Sequence, residues 1–199
     1  MIKYIHMRIM TDIDGCIGDF CAMASDFMGI DNLPEPDAFD LFKASGWKEY
    51  FPTAKVFEDF YIDLVKNSQY LLEPANSEAI EALNRLRSNG NTIVVATHRG
   101  FKRLVGTPAE WVNKKAYDDT AAWLRKIGLQ FDELIFTKHK TDANANVYID
   151  DSPQNIREIK SLADPTAVMI KQIYNTDCHE ADLVTDNWDE IYRFISELS

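Results

Sequence analysis

The sequence predicts an α/β fold, in which a parallel β-sheet is covered by helices on both faces. Two observations predict it. Short apolar runs typical of buried strands alternate with helical segments, and polar side chains follow directly on those runs. A chain of 199 residues is long enough to form one good-sized core together with a small insertion.

The first predicted strand ends at Asp12-Ile13-Asp14-Gly15. Side chains two positions apart on a strand point to the same face, so Asp12 and Asp14 are expected to converge where the strand ends. Two carboxylates this close call for a cation, and oxygen ligands of this kind suit Mg²⁺. The alternative is a solvated strand end with an Asx turn at Asp14-Gly15, and this stretch alone does not decide between the two.

Residues 20–75 differ in character from the rest of the chain. They are rich in aromatic side chains and are interrupted by proline and glycine. A helical spacing is present in Val56, Phe57, Phe60, Tyr61 and Leu64. The sequence therefore predicts a small helical cap at residues 20–75, inserted into an α/β core made of residues 1–19 and 76–199. Most of the aromatic rings are expected to form the core of this cap.

Strands and helices alternate after residue 76. The predicted strands are Thr92–Ala96, Leu134–Thr137, Asn146–Ile149 and Ala167–Ile170. The predicted helices begin with Ser77 as N-cap, at a capping box of Thr107 to Glu110, near Ile156 and at residue 187. The connection between two of the strands is only the stretch 138–146, whose last residue begins the next strand, so a single turn or an irregular loop is expected in place of a crossover helix.

Ligands of open parallel sheets bind at the carboxyl ends of the strands. Here those ends supply two acidic pairs, a hydroxyl and a lysine, drawn from Asp12 and Asp14, Thr97 and His98, Lys138 to Lys140, and Asp150 and Asp151. The set suits phosphoryl transfer to an aspartate nucleophile, with Mg²⁺ offsetting the repulsion between carboxylate and phosphate. A lysine and a hydroxyl would hold the equatorial phosphate oxygens, and the position relative to the acidic pair favours Lys140 over Lys138.

These residues resemble the four motifs of the haloacid dehalogenase (HAD) superfamily of aspartate-based phosphatases, with Asp12-Ile13-Asp14-Gly15, Thr97, Lys140 and Asp150-Asp151. Within the superfamily the chain is similar to the cytosolic and mitochondrial 5'(3')-deoxyribonucleotidases. The strings that carry this similarity lie at residues 14–20, 72–74, 137–141 and 147–151. The resemblance implies a Rossmann-like core of the HAD type, with the cap inserted after the first strand.

The resemblance also implies roles for four residues. Asp12 would be the nucleophile and a metal ligand through its carboxylate. Asp14 would be the general acid and base, with its backbone carbonyl also on the metal. Thr97 and Lys140 would hold the phosphate, and Mg²⁺ would be the cofactor.

The resemblance also bears on Asp150, Asp151 and His98. Alignment with the family's more usual Gly-Asp pattern makes Asp151 the direct metal ligand, with Asp150 nearby or acting through water, and leaves the choice between them open. Deoxyribonucleotidases usually carry a small residue after the threonine of the second motif, and this chain carries His98. That histidine is expected either to contact the phosphate or sugar of the substrate or only to fill a gap.

Two aromatic residues are candidates for contacting a nucleobase. Phe20 lies eight residues after Asp12, where deoxyribonucleotidases place a phenylalanine against the base, and Trp47 is the candidate for its other side. Stacking on an aromatic side chain contributes ~1–3 kcal/mol per base and tolerates different bases. The basic residues between Arg99 and Lys115 form either a solvated face or a patch that attracts a dianionic substrate.

Composition limits the choice of partners and location. The net charge of −11 disfavours a nucleic-acid backbone as the main partner but allows a small phosphorylated ligand. The three cysteines form neither a metal-binding spacing nor an even disulfide set, which favours a reduced, cytoplasmic chain. Neither a signal peptide nor a membrane-spanning run is recognisable in the sequence. The oligomeric state stays open, a homodimer included.

The sequence thus predicts a Mg²⁺-dependent phosphomonoesterase that acts on nucleoside monophosphates, with deoxy forms favoured. One alternative keeps the enzyme and changes the substrate to a sugar phosphate or a nucleic-acid terminal phosphate. Another makes the chain a phospho-receiver or a non-catalytic binding module. Receivers lack both an acidic residue two positions after the phosphorylated aspartate and a cap, so Asp14 and residues 20–75 favour the enzyme.

Overall fold

The computed structural model describes residues 6–31, 33–38, 41, 43–99 and 109–198. The strands are β1 (Arg8–Thr11), β2 (Thr92–Thr97), β3 (Glu133–Phe136), β4 (Val147–Asp150), β5 (Thr166–Ile170) and β6 (Leu183–Thr185). Within the described residues they form one six-stranded sheet in the order β3-β2-β1-β4-β5-β6, and each neighbouring pair is parallel. The predicted parallel sheet is confirmed.

Helices cover both faces of this sheet. They are α1 (Phe20–Met28), α2 (Ala54–Lys66), α3 (Ser77–Ser88), α4 (Ala109–Lys126), α5 (Pro153–Lys160) and α6 (Trp188–Glu197). Successive strand residues point to opposite faces, so Ile93 and Val95 pack with α3, α4 and α6, whereas Val94 and Ala96 pack with α5. This two-sided burial explains why the strands are continuous apolar runs.

The structure departs from the predicted elements at a few places. Strand β6 was not predicted, because three residues are too few to show a period. Helix α3 is capped by Asn76 in place of Ser77, since the Asn76 side chain accepts from the backbone of Glu78 and Ala79. The stretch 138–146 contains a 3-10 turn at Lys140–Ala143, as expected. The predicted capping box at residues 107–110 lies mostly outside the described residues.

The predicted cap, residues 20–75, contains α1, α2 and a 3-10 turn at Gln69–Leu72 among its described residues. Its apolar side chains form a cluster that also takes in Val112 and Ala116 of α4. The expectation that most of its aromatic rings are core is confirmed, because this cluster includes Phe20, Phe27, Trp47, Phe51, Phe57, Phe60 and Tyr61. Tyr50 is exposed, and Phe39 and Phe42 lie outside the described residues. The division of the chain into core and cap stays a prediction.

The topology explains how distant sequence positions come together. Strand β1 lies between β2 and β4, with Thr11 opposite Val95 on one side and Ile149 on the other. The backbone N–H of Asp12 donates to Ile149 O at 2.9 Å and extends the pairing by one residue. The carboxyl ends of these three strands therefore lie side by side at one edge of the sheet.

None of the described helices has both the length and the hydropathy of a membrane span.

Candidate active site

Lys140 and Asp12 form the centre of the site. Lys140 Nζ donates to Asp12 Oδ1 and to Ala96 O, both at 2.7 Å, and the lysine is buried. The 3-10 turn that begins at Lys140 directs its side chain beneath the ends of β1 and β2. The backbone N–H of Ile13 donates to the same carboxylate oxygen at 2.7 Å. The structure thus brings Lys140 to Asp12, whereas Lys138 is exposed.

Three buried carboxylates gather around this centre. One oxygen each of Asp12, Asp150 and Asp151 lies within 4.8 Å of the others. Burial raises the pKa of all three, that of Asp150 to about 7. The negative charge of neighbouring acids raises each of these pKa values further. Lys140 opposes the shift at Asp12 and Asp150, but one cation does not balance three anions. A buried, oxygen-only cluster with excess negative charge fits a hard divalent cation.

Asp150 and Asp151 are held differently. Both oxygens of Asp150 accept from Asn155 Nδ2, at 2.9 and 3.1 Å, and one also accepts from the backbone of Ser152. Asp151 Oδ2 accepts from the Tyr174 hydroxyl. Asp151 Oδ1 is buried and has no hydrogen-bond partner among the described residues. An orphaned buried carboxylate oxygen beside two other acids fits a direct ligand of a divalent cation.

The hydroxyl of Thr97 is the second orphaned group at this edge. It is buried at the end of β2 and, within the part of the chain that the structure describes, has no hydrogen-bond partner. A buried hydroxyl without a partner is costly unless a ligand satisfies it, so this atom fits the predicted contact to phosphate. His98 follows it and is exposed at the same edge. Its contact with substrate stays a prediction.

Asp14 has different surroundings from Asp12. Its side chain is 32% exposed, and Arg99 donates to it through Nε, at 3.3 Å, and through Nη2. The same Nη2 donates to both oxygens of Glu73, at 2.7 and 2.5 Å. Arg99 and Glu73 are buried, and the two acids outweigh burial and raise the pKa of the arginine above its usual value. Burial raises the pKa of Glu73, and the positive charge of Arg99 opposes this shift.

The burial of Arg99 corrects one expectation. The interpretation of the basic residues between Arg99 and Lys115 as a solvated face required this arginine to face solvent, and its exposed fraction is 0%. The other interpretation, a patch that attracts a dianionic substrate, stays a prediction. The physical reason is that two carboxylates compensate its charge inside the protein. Lys102 and Arg103 lie outside the described residues, so the substrate-attracting patch is untested for them.

Two glycines give carboxylates room to approach. A Cβ placed on Gly15, whose φ is +75°, would lie 2.3 Å from Asp151 Oδ2. A Cβ on Gly18 would lie 2.3 Å from Glu73 Oε1. Real side-chain atoms do not approach so closely, so each glycine makes space for one acid of the site.

The two candidate base contacts lie in the cap. Phe20 is 8% exposed, and its ring stacks on Tyr61 with 5.5 Å between ring centroids. Trp47 is fully buried, donates its indole N–H to Pro34 O at 2.7 Å and lies beside Phe51. The structure therefore places Phe20 at the edge of the cap cluster and Trp47 inside it. Contact of either with a base stays a prediction.

The sequence reasoning missed four residues of the site. Glu73, Asn155 and Tyr174 were given no role, and Arg99 was assigned either to a solvated face or to a patch that attracts substrate. Arg99 contacts Asp14, Asn155 contacts Asp150 and Tyr174 contacts Asp151, whereas Glu73 reaches Asp14 only through Arg99. A usable signal existed for Arg99, because it lies two residues after Thr97 at a strand end.

Comparisons with known proteins agree with this geometry. The model of one protein family, described as 5' nucleotidase, deoxy (pyrimidine), cytosolic type C protein, matches residues 6–198. A protein from Chlorobaculum tepidum, named as a candidate 5'(3')-deoxyribonucleotidase, is 27% identical over 197 residues, which cover 94% of this chain and 89% of that protein.

Solved structures share the fold at low identity. A predicted phosphatase from Clostridium acetobutylicum has a TM-score of 0.60 at 15% identity and covers 97% of this chain and 100% of its own. A HAD family hydrolase from Deinococcus radiodurans R1, with bound phosphate and sodium, has a TM-score of 0.60 at 12% identity, with 96% of each chain covered. The fold is therefore that of the HAD hydrolases. The match over residues 6–198 shows that this chain belongs to the family of 5' nucleotidase, deoxy (pyrimidine), cytosolic type C proteins and is a phosphoric monoester hydrolase of the 5'-nucleotidase type.

Proposed function

We propose that this protein is a Mg²⁺-dependent phosphatase that hydrolyses deoxyribonucleoside 5'-monophosphates through an aspartyl-phosphate intermediate. One observation carries the proposal. The buried acids Asp12, Asp150 and Asp151 share one strand edge with Lys140 and with the orphaned Thr97 hydroxyl. A divalent cation would balance the excess negative charge of the acids, and a phosphate would accept from Lys140 and from the Thr97 hydroxyl.

The chain's own residues divide the reaction between them. Asp12 attacks phosphorus, and the bond from phosphorus to the nucleoside oxygen breaks. Asp14 supplies the proton that this leaving oxygen needs. It then takes a proton from the water that hydrolyses the phosphoryl group from Asp12. Lys140 and Thr97 bind the equatorial oxygens, where negative charge gathers in the transition state.

The metal would be held by the Asp12 and Asp151 carboxylates together with the backbone carbonyl of Asp14. The orphaned Asp151 Oδ1 supports Asp151 as a direct ligand, whereas Asn155 and Ser152 already occupy the oxygens of Asp150. When bound, Mg²⁺ neutralises the repulsion between the carboxylates and the phosphate. We place Asp150 in a supporting position, where it orders the end of β4.

The nucleotide assignment rests on the family and on the cap. Residues 20–75 would cover the site, exclude water while the phosphoryl group is transferred, and present Phe20 to the base. The stacked pair of Phe20 and Tyr61 supports this role because it offers a nearly buried aromatic surface next to the Asp14–Gly18 turn. We also propose a cytoplasmic location, in keeping with three free thiols. A homodimer is a proposal that sedimentation of the purified protein would test.

A phosphate-release screen tests the function. The substrates are deoxyribonucleotides, ribonucleotides, sugar phosphates and a 5'-phosphorylated oligonucleotide, each with and without Mg²⁺. We expect Mg²⁺-dependent release from deoxyribonucleoside 5'-monophosphates, and its loss in Asp12→Asn. Asp118→Asn is the matched control, since Asp118 is exposed on α4. Activity that survives Asp12→Asn would overturn the mechanism, and activity confined to sugar phosphates or to the oligonucleotide would overturn the substrate assignment.

A further inference from the structure

Arg99 and Glu73 lie outside the four motifs, and the reaction described above leaves them without a role. Yet Arg99 is fully buried and donates to Asp14 and Glu73 through the same terminal nitrogen. Its Nε makes a second contact to Asp14 at 3.3 Å. We propose that Arg99, anchored by Glu73, is a positioning residue that fixes the Asp14 carboxylate for proton transfer. The inference rests on the proposed function, because it assigns a partner to the residue that moves the proton.

The arginine is itself held rigidly. Its guanidinium lies 4.5 Å from the centroid of the Tyr70 ring and 5.7 Å from that of the Trp123 ring. Trp123 also donates its indole N–H to the backbone oxygen of Glu73 at 2.9 Å. An arginine that lies against two aromatic rings and is bound to a buried glutamate has little freedom to move. Asp14 therefore meets a donor whose position is set by the fold.

Glu73 connects this arrangement to both crossings between core and cap. It lies directly after the 3-10 turn Gln69–Leu72, where the chain leaves the predicted cap. The next residue accepts a backbone hydrogen bond, from Asp19 N to Pro74 O at 3.0 Å, and Gly18 gives the Glu73 carboxylate room to lie beside the outgoing chain. The position of Asp14 thus depends on the junction between the two parts of the chain.

The shape of the guanidinium explains why an arginine, and not a lysine, occupies this position. The planar guanidinium presents several N–H donors in a fixed fork and can bind two carboxylates at once, whereas a lysine ammonium is a compact point charge on a flexible stem. Asp14 is 32% exposed, so without this contact its side chain could rotate toward solvent. Proton transfer requires the acid within hydrogen-bond reach of the leaving oxygen, and a displacement of about 1 Å can lower a rate about 100-fold.

Kinetic measurements distinguish this positioning role of Arg99 from substrate binding. A residue that attracts the substrate changes KM, whereas a residue that orients the acid changes kcat. The dependence on the leaving group separates orientation from a merely structural role. A nucleoside 5'-oxygen needs a proton to leave, whereas the p-nitrophenolate of p-nitrophenyl phosphate departs as a stable anion.

The test compares Arg99→Lys and Glu73→Gln with wild type on a deoxyribonucleoside 5'-monophosphate and on p-nitrophenyl phosphate. The rate compared is that of the first step, release of the leaving group measured by rapid quench, because the later attack of water on the intermediate uses Asp14 with either substrate. For Arg99→Lys we expect this rate to fall about 10- to 100-fold on the nucleotide and less than about threefold on p-nitrophenyl phosphate. KM and the Mg²⁺ affinity measured by calorimetry should be unchanged. Arg157→Lys is the matched control, because Arg157 forms an exposed ion pair with Glu180.

Glu73→Gln keeps the side chain's shape and serves if Arg99→Lys does not fold. It should show the same substrate-selective loss in the first-step rate, but a smaller one, since one anchor of the arginine is only weakened. Equal losses in the first-step rate on both substrates, or a raised KM with an unchanged first-step rate, would overturn the inference. Failure of the proposed function has a different signature, namely activity that survives Asp12→Asn.

Discussion

Asp12 and Asp14 are two residues apart, yet the protein surrounds them in two different ways. Asp12 is buried with Asp150 and Asp151, and Lys140 is the cation that contacts it among the described residues. Asp14 is partly exposed and paired with Arg99, itself bound to Glu73. We infer that the first arrangement suits a nucleophile that shares a metal, and the second an acid that must keep its orientation while it gains and loses a proton.

We call the residues around Asp12 the Asp12 side and those around Asp14 the Asp14 side. The two sides come from different parts of the fold. The partners of Asp12 come from the carboxyl edge of the sheet, at the end of β4 and in the turn at Lys140–Ala143. The partners of Asp14 come from connections, since Glu73 precedes α3 and Arg99 follows β2. The sheet thus prepares one carboxylate, and the junction between core and predicted cap holds the other.

Gly15→Ala should disturb the Asp12 side and produce the largest effect. The added Cβ would lie 2.3 Å from Asp151 Oδ2 and 2.8 Å from its Cγ, so the Asp151 carboxylate must shift from its place in the acidic cluster. We expect the Mg²⁺ affinity, measured by calorimetry, to fall about 10- to 100-fold, with activity falling in parallel at limiting metal.

Gly128→Ala is the control for that variant. Gly128 has a φ of +80°, close to the +75° of Gly15, but a Cβ there meets nothing within 4 Å. Both variants carry the same backbone strain of ~1–2 kcal/mol, and only one carries the clash. Equal effects of the two substitutions on metal affinity would contradict the assignment of Asp151 as a ligand.

Gly18→Ala should disturb the Asp14 side and have a smaller effect. Its Cβ would lie 2.3 Å from Glu73 Oε1 and would displace the anchor of Arg99. We expect kcat on a nucleotide to fall about tenfold while the Mg²⁺ affinity stays unchanged, because the acids that bind the metal are not touched. If Gly18→Ala weakened metal binding as strongly as Gly15→Ala, the separation of the two sides would be wrong.

The smallest expected effect concerns stability and pH. Burial raises the pKa of Asp150 to about 7 and also raises those of Asp12 and Asp151. Between about pH 4 and pH 7 the metal-free folded protein therefore keeps protons that the unfolded chain has released, and its free energy of unfolding falls as pH rises. Since Mg²⁺ binds the deprotonated acids, its stabilising effect should grow over the same window.

Thermal denaturation with and without Mg²⁺ checks this expectation. The rise in Tm on adding Mg²⁺ should be larger near pH 8 than near pH 5, by roughly 2–8 °C for about 1–2 kcal/mol of additional ligand stabilisation. Asp151→Asn should reduce the rise at both values. A rise that does not depend on pH would show that the acids are already ionised in the metal-free protein.

Much of the Asp12 side was predictable from sequence. Parallel strands all end at the same edge, so the polar residues directly after each apolar run identified Asp12, Thr97, Lys140 and the pair Asp150 and Asp151. The order of those strands in the sheet was not needed. The closing strand β6 was missed because Leu183–Thr185 is too short to carry a pattern.

The Asp14 side was not predictable in the same way. Arg99 and Glu73 are ordinary charged residues in connections, and the sequence between them contains a helix and a strand. Their burial depends on each compensating the other, which is a property of the folded structure and not of either segment. The same holds for Tyr174, whose contact with Asp151 joins the turn after β5 to the end of β4.

The most direct test of the different roles of Asp12 and Asp14 is to locate the phosphoryl group on the protein. Asp14→Asn would be mixed with Mg²⁺ and p-nitrophenyl phosphate, quenched in acid and digested for mass spectrometry. Transfer from this substrate needs no acid, whereas hydrolysis of the intermediate lacks its base, so the phosphorylated enzyme should accumulate. We predict one phosphoryl group, located on Asp12. Continued turnover with no phosphorylated peptide, or a phosphoryl group on another residue, would contradict the account.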